Sequence, residues 1–188
     1  MKRLALILSV FLVHFVLSCG ESGHKQAANE DGFSAIENEL KSKFGADAYY
    51  TDINVTYNES IGNVVGVTVT KDPASLKMGQ WNQTQGNWTQ NQDISIEIPQ
   101  GSQATDFMFQ LGQTVSLAKL GELIETSKAQ LTKEKQLQNP RLHMASVQYP
   151  DNGDVSKAEY LVMLQPETGG TTFSFQYKLN GDFIKMDY

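Results

Sequence analysis

Phe33, Ile36, Leu40 and Phe44 recur at helical spacing, with Glu37, Glu39, Lys41 and Lys43 between them. This period predicts an amphipathic helix of about three turns with one buried stripe. Asp31 or Gly32 is placed to cap its start, and Gly45 fits the position just past its end. The same spacing returns between Thr114 and Leu137, where Leu117, Leu120, Ile124 and Leu131 share a stripe with Leu123 beside it. Pro140 stops this second helix, and Gly121 in its interior lowers helix propensity, which points to a close contact there.

The remaining apolar positions alternate. Tyr49 to Tyr57 and Val64 to Lys71 read as two strands around the turn-forming Asn58–Gly62 stretch, each with one dry and one wet face. Ile94, Ile96 and Ile98 alternate with Ser95 and Glu97 in a further strand that stops at Pro99. Four more strands are predicted at 142–149, 158–164, 171–179 and 182–188. The turn Asn180-Gly181 predicts a two-residue hairpin between the last two. That register would pair Tyr177 with Ile184, Phe175 with Met186 and Phe173 with Tyr188, placing the C-terminal hairpin in the core. The fold class expected is α+β, two helices packed on an antiparallel sheet.

Trp81 and Trp88 stand in a stretch of Gln, Asn and Thr around a turn at Gln85-Gly86. An apolar ring among amides is how a flat face for sugar stacking or protein contact is built. Burying both rings would drag Asn82, Gln83, Asn87 and Gln90 inward, and an unpaired buried amide costs about 1–3 kcal/mol. Trp81 or Trp88 is therefore expected on an exposed, partner-contacting face.

Both halves can be written as one helix followed by four strands, with units at 33–100 and 113–188. Val55-Thr-Tyr57 then sits over Val147-Gln-Tyr149, and Gly86-Asn-Trp88 over Gly181-Asp-Phe183, while Trp81 falls out of phase. This order resembles the tandem modules of beta-lactamase inhibitor proteins and, more loosely, the PepSY family. The resemblance covers 33–188 and is topological, with no diagnostic motif.

Ahead of the fold, Met-Lys-Arg precedes an apolar run from Leu4 to Leu17 that is short for a spanning helix, followed by Ser18-Cys19-Gly20. This resembles a bacterial lipoprotein signal peptide, although Val16 and Leu17 depart from the commonest lipobox. The resemblance implies cleavage after residue 18, a diacylglycerol thioether on Cys19 and a further acyl chain on its amine. Several chains anchor stably where one does not. Gly20, in place of Asp, implies by the same resemblance the outer membrane of the cell envelope. Residues 19–32 read as the lipidated cysteine and a flexible tether, with a reach on the order of 20 Å.

Without residues 1–18 the chain keeps 13 basic and 21 acidic residues, a net charge of −8. That balance argues against nucleic-acid binding. Cys19 is the only cysteine, which excludes an internal disulfide, thiol catalysis and thiolate metal sites. Only His24 and His143 remain after processing, too few for a histidine metal cluster, so no metal and no cofactor is expected. No Gly-x-Ser-x-Gly elbow or phosphate loop is present, and Asp151-Asn-Gly-Asp154 fits a hairpin turn better than a calcium loop. No catalytic residue is singled out. The function expected is a non-enzymatic, membrane-anchored binding module for a protein or envelope component. A glycan-binding accessory using Trp81 and Trp88 is the alternative, and an envelope hydrolase with paired carboxylates stands behind it.

Overall fold

The computed structural model describes residues 26–58 and 60–188, so Cys19, His24 and the signal segment lie outside the described residues. Helix α1 spans Glu30–Phe44 and helix α2 spans Leu117–Lys135. The strands are β1 Tyr49–Asn58, β2 Gly62–Thr70, β3 Lys77–Thr84, β4 Asn87–Ser95, β5 Phe109–Gln110, β6 Arg141–Gln148, β7 Glu159–Gln165, β8 Phe173–Lys178 and β9 Phe183–Asp187. They form one nine-stranded sheet in the order β4-β3-β2-β1-β6-β7-β8-β9, with β5 pairing β1 beside this path. All ladders between strands are antiparallel, and both helices pack on one face of the sheet. The fold is α+β, as the periodicities predict.

The cap of α1 lies earlier than Asp31 or Gly32. Asn29 takes that place, its Oδ1 accepting the Gly32 N–H at 3.0 Å. Glu30 and Asp31 in the first turn and Lys41 and Lys43 in the last complement the helix dipole. Gly45 ends the helix at φ +106°, its N–H donating to the Lys41 carbonyl. In α2, Ser116 is the cap, and Gly121 makes the close contact its sequence position implies. A Cβ there would stand 2.3 Å from the carbonyl oxygen of Asn29, so the missing side chain lets the start of α1 approach α2.

The two halves share a pairing pattern. Each helix precedes a four-strand meander, and the meanders join through β1 and β6. Asn54 pairs Ser146 at the centre of that seam, with Ile53–Val147 and Val55–Ala145 on either side. Following the ladders outward, Ile53–Val67–Trp81 in one half matches Ala145–Val162–Phe175 in the other. Trp81 is therefore in phase with Phe175, contrary to the alignment through Gly86 and Gly181, because the path from the second strand to the third is one residue longer from Val67 to Trp81 than from Val162 to Phe175. One continuous core runs beneath both helices, from Phe44 and Val69 to Phe175 and Tyr177.

The last hairpin departs from its expected register. Lys178 accepts from the Gly181 N–H and donates to the Asp182 carbonyl, both at 2.9 Å, and only Gly181 has positive φ. A two-residue type I′ turn needs positive φ at both central residues, so the chain takes a longer loop with glycine in the left-handed position. The resulting bulge pairs Tyr177 with Phe183 in place of Ile184, while Phe175–Met186, Gln176–Lys185 and Ser174–Asp187 keep the expected pairing. Strand β8 is core, but β9 is an exposed edge. The 94–98 segment also differs, with β4 ending at Ser95. Ile96 and Ile98 instead join Ile94, Tyr49 and Leu76 around Met78, Ala104 and Met108 in a small second cluster.

Candidate functional site

Gln85 and Gly86 both take positive φ, 51° and 76°, giving the two-residue turn that joins β3 to β4. Val65 and Val67 of β2 face the helices and pair with Gln83 and Trp81, so these β3 positions face the helices too. Trp88, opposite Gln83, joins them. Both indoles stand edge-on to Phe44 at the end of α1, with ring centroids 5.6 Å away for Trp81 and 5.2 Å for Trp88. The Trp88 Nε1–H donates to Glu39 Oε1 at 3.1 Å, and the Gln83 amide donates to the same oxygen. The Lys43 ammonium lies 5.2 Å from the Trp81 ring centroid. Gly79 is required beside this ring, since a Cβ there would come 2.6 Å from the Trp81 Nε1.

The rings are thus half-buried rather than exposed. The neighbouring amides do not all follow the rings inward. Only Gln83 is drawn inside, at 2% exposure, and Glu39 satisfies it, while Asn82, Asn87 and Gln90 remain exposed. The signal that could have shown this was present in α1, where Glu39 sits one turn before Lys43 on the side that meets the hairpin.

A second polar group lies inside the helix layer. Glu37, 9% exposed, uses both carboxylate oxygens, one accepting from Lys41 Nζ at 2.6 Å and the other from the Leu117 N–H at 2.8 Å. The Tyr160 hydroxyl donates to the Ser116 carbonyl at 3.0 Å, and the Ser116 N–H donates back to it at 2.9 Å. The Tyr50 hydroxyl is buried with no hydrogen-bond partner among the described residues. Burial and the Glu37 carboxylate push Tyr50 above the usual phenol range, so it stays protonated. The group splices α1, β7 and the start of α2, and both oxygens of its carboxylate are already engaged.

The face of the sheet turned away from the helices has a different composition. One row of paired residues crosses eight strands: Thr89, Asn82, Gly66, Asn54, Ser146, Leu161, Gln176 and Lys185. Only the last is charged. The neighbouring row carries Thr84, Val64, Thr56, Met144, Met163 and Ser174. The cluster around Met78 covers one corner, leaving Thr56, Met144, Met163, Ser174 and Gln176 half-buried without a helix above them. Gly66 lets the Asn54 amide lie across the sheet, because a Cβ there would fall 2.8 Å from it. That amide donates to Asp52 Oδ2 at 3.0 Å. Burial raises the Asp52 pKa, and the Asn54 hydrogen bond opposes the rise. The signal for this face lay in the wet positions of the strands, which are amides, hydroxyls and thioethers with few charges.

His143 is exposed at a bulge in β6, and Asp154 is engaged by Ser156 and Lys157 within its turn. Among the described residues no three His, Cys, Asp or Glu side chains gather as metal ligands, and no helix is long and apolar enough to cross a membrane.

No family model and no curated protein matches the chain. Neither the beta-lactamase inhibitor nor the PepSY resemblance therefore gains support from sequence comparison. Among solved structures, the chain is similar to a crystal structure of a "putative lipoprotein" from Clostridium difficile 630, at 10% identity and a TM-score of 0.46, over 89% of this chain and 95% of that one. At that level the likeness carries no information about function.

Proposed function

We propose that this chain is a lipid-anchored protein of the cell envelope, held through Cys19, and that it acts as a non-enzymatic binding module for a protein partner. The observation that carries the binding role is the helix-free sheet face. Seven successive strands place uncharged residues across its middle row, and Met144 pairs directly with Met163 beside it. Desolvating amides and hydroxyls costs far less than desolvating charges, and methionine side chains adapt their shape to what they meet. Asp52 sits at the margin of this surface and supplies polarity there. The anchor rests on Leu17-Ser18-Cys19-Gly20 behind the apolar run.

The double variant Met144→Lys/Met163→Lys places two charges on the face without touching the helix-side core. Expressed from the native envelope and cross-linked in place, it loses the partner that the parent chain and the control Ala129→Lys on α2 both retain. An unchanged cross-linking pattern with unchanged thermal unfolding would remove the face from the proposal. The anchor is tested separately, because Cys19→Ala shifts the protein from the membrane pellet to the soluble or unprocessed pool.

A further inference from the structure

The sheet has two edges, and they are built differently. The β4 edge exposes Asn87, Thr89, Gln90, Asn91, Gln92 and Asp93, the polar and charged guard usual at an unpaired strand. The β9 edge exposes Phe183 at 50%, Ile184 at 38% and Tyr188 at 73%, and no described strand pairs its outer side. Among the described residues its ion pair joins Lys185 to Asp187 at 2.8 Å, within the strand itself.

We propose that β9 is the contact edge of a homodimer, pairing antiparallel with β9 of a second copy about a two-fold axis at Met186. The edge is self-complementary. An antiparallel pair centred on Met186 sets Met186 against Met186, Lys185 against Asp187 of the other copy, and Ile184 against its Tyr188. Every charge meets its opposite, and every apolar residue meets another. Centring on Lys185 opposes two ammonium groups and sets Phe183 against Asp187. Centring between Lys185 and Met186 sets Ile184 against Asp187. The pattern thus favours one register. Met186 lies against the core, and Tyr188 packs on the Phe173 ring at 5.5 Å with the Lys135 ammonium 4.2 Å from its own ring centroid, so the Met186 pair extends the existing core across the axis. The chain already joins its own halves in this way, through the antiparallel β1–β6 seam centred on Asn54 and Ser146. The bulge at Ile184 ends the regular edge and confines the pairing to 184–188. So short an interface buries less than the roughly 1,200 Å² of a stable complex, and dimers form only where copies are concentrated. Anchoring supplies that concentration, a step that rests on the lipidation proposed above.

The test uses the absence of any cysteine beyond Cys19, which the lipid blocks in the anchored protein. In vesicles, mild oxidation of Met186→Cys gives a covalent dimer, since paired residues on the axis lie about 4.5–5.5 Å apart and within disulfide reach. Ile184→Cys gives at least about tenfold less, because its two copies stand four residues apart, about 13 Å along the strand. Adding Lys185→Asp to Met186→Cys lowers the yield about tenfold, as expected for like charges directly opposed. The further exchange Asp187→Lys restores it. Equal yields at 184 and 186, no dimer at 186, or indifference to charge reversal overturns the proposal. The same oxidation of the Cys19→Ala, Met186→Cys chain at millimolar concentration reads the edge without the anchor. Failure of vesicle binding alone therefore counts against lipidation and leaves the edge decided by this arm.

Discussion

The carboxylate of Glu37, in the middle of α1, accepts the N–H of Leu117, the first residue of α2, at 2.8 Å. One helix thereby caps the other. The first N–H groups of a helix have no partner within it, and α2 obtains one from 80 residues earlier in the chain. The charge also faces the positive end of the α2 dipole. Glu37→Leu leaves a buried N–H unsatisfied and should cost about 1–3 kcal/mol of stability. Lys41→Met, which removes the partly solvated ion-pair partner, should cost less than about 1 kcal/mol. Denaturant unfolding of both variants checks the order; equal losses would mean that the ion pair, and not the cap, is what stabilises the junction.

Asp52 gives a pH-dependent expectation. Burial raises its pKa in the folded protein, so folding favours the protonated form. The contribution of such a group is fully present below its unfolded pKa and is lost as pH rises through the folded value. The ionised carboxylate therefore weakens the fold at neutral pH. Asp52→Asn, which keeps an oxygen acceptor for the Asn54 amide, should be more stable than the parent at pH 7, and the difference should vanish at acid pH. Thermal midpoints across pH 3 to 7 test this, with a loss at pH 7 as the contrary result.

Gly121→Ala should destabilise the protein despite a gain in helix propensity. The propensity gain is about 0.8–1 kcal/mol. The added Cβ would lie 2.3 Å from the Asn29 carbonyl oxygen and 2.7 Å from the Glu30 Cα, both backbone atoms that cannot swing aside. Overpacking of this kind costs about 1–3 kcal/mol, so the net effect is a loss. A raised thermal midpoint for Gly121→Ala would show that the helices separate freely at this point.

The helices and most of the strands are legible in the sequence because each buries one stripe or one face, and period alone reports that. Gly121 is legible too, as a residue that a helix interior disfavours. The seam between β1 and β6 is not, since pairing between strands 92 residues apart leaves no local mark, although the match of Val55-Thr-Tyr57 to Val147-Gln-Tyr149 has the offset the seam requires. The bulge at Ile184 depends on a choice between turn types that Asn180-Gly181 leaves open. The burial of Gln83 depends on a carboxylate 44 residues away, which no window along the chain contains.

Trp88 tests what the hairpin does for the fold. Its ring stands edge-on to Phe44 at an interplanar angle of 85°, and its Nε1–H reaches Glu39. Trp88→Phe keeps an aromatic edge on Phe44 and loses only the hydrogen bond, for a cost of about 0.5–1.5 kcal/mol. Trp88→Ala also uncovers Phe44. Because the ring is half-buried, the loss should fall below the roughly 3–5 kcal/mol of a fully buried tryptophan, at about 2 kcal/mol. Glu39→Gln separates the two contributions, because it removes the charge that both Trp88 and Gln83 share while leaving the rings in place. If the hairpin caps the core, Trp88→Ala should lower the thermal midpoint while the cross-linked partner is retained. If Trp88→Ala leaves stability unchanged and abolishes the partner, the binding surface lies on the tryptophan side of the sheet, and the helix-free face loses its assigned role.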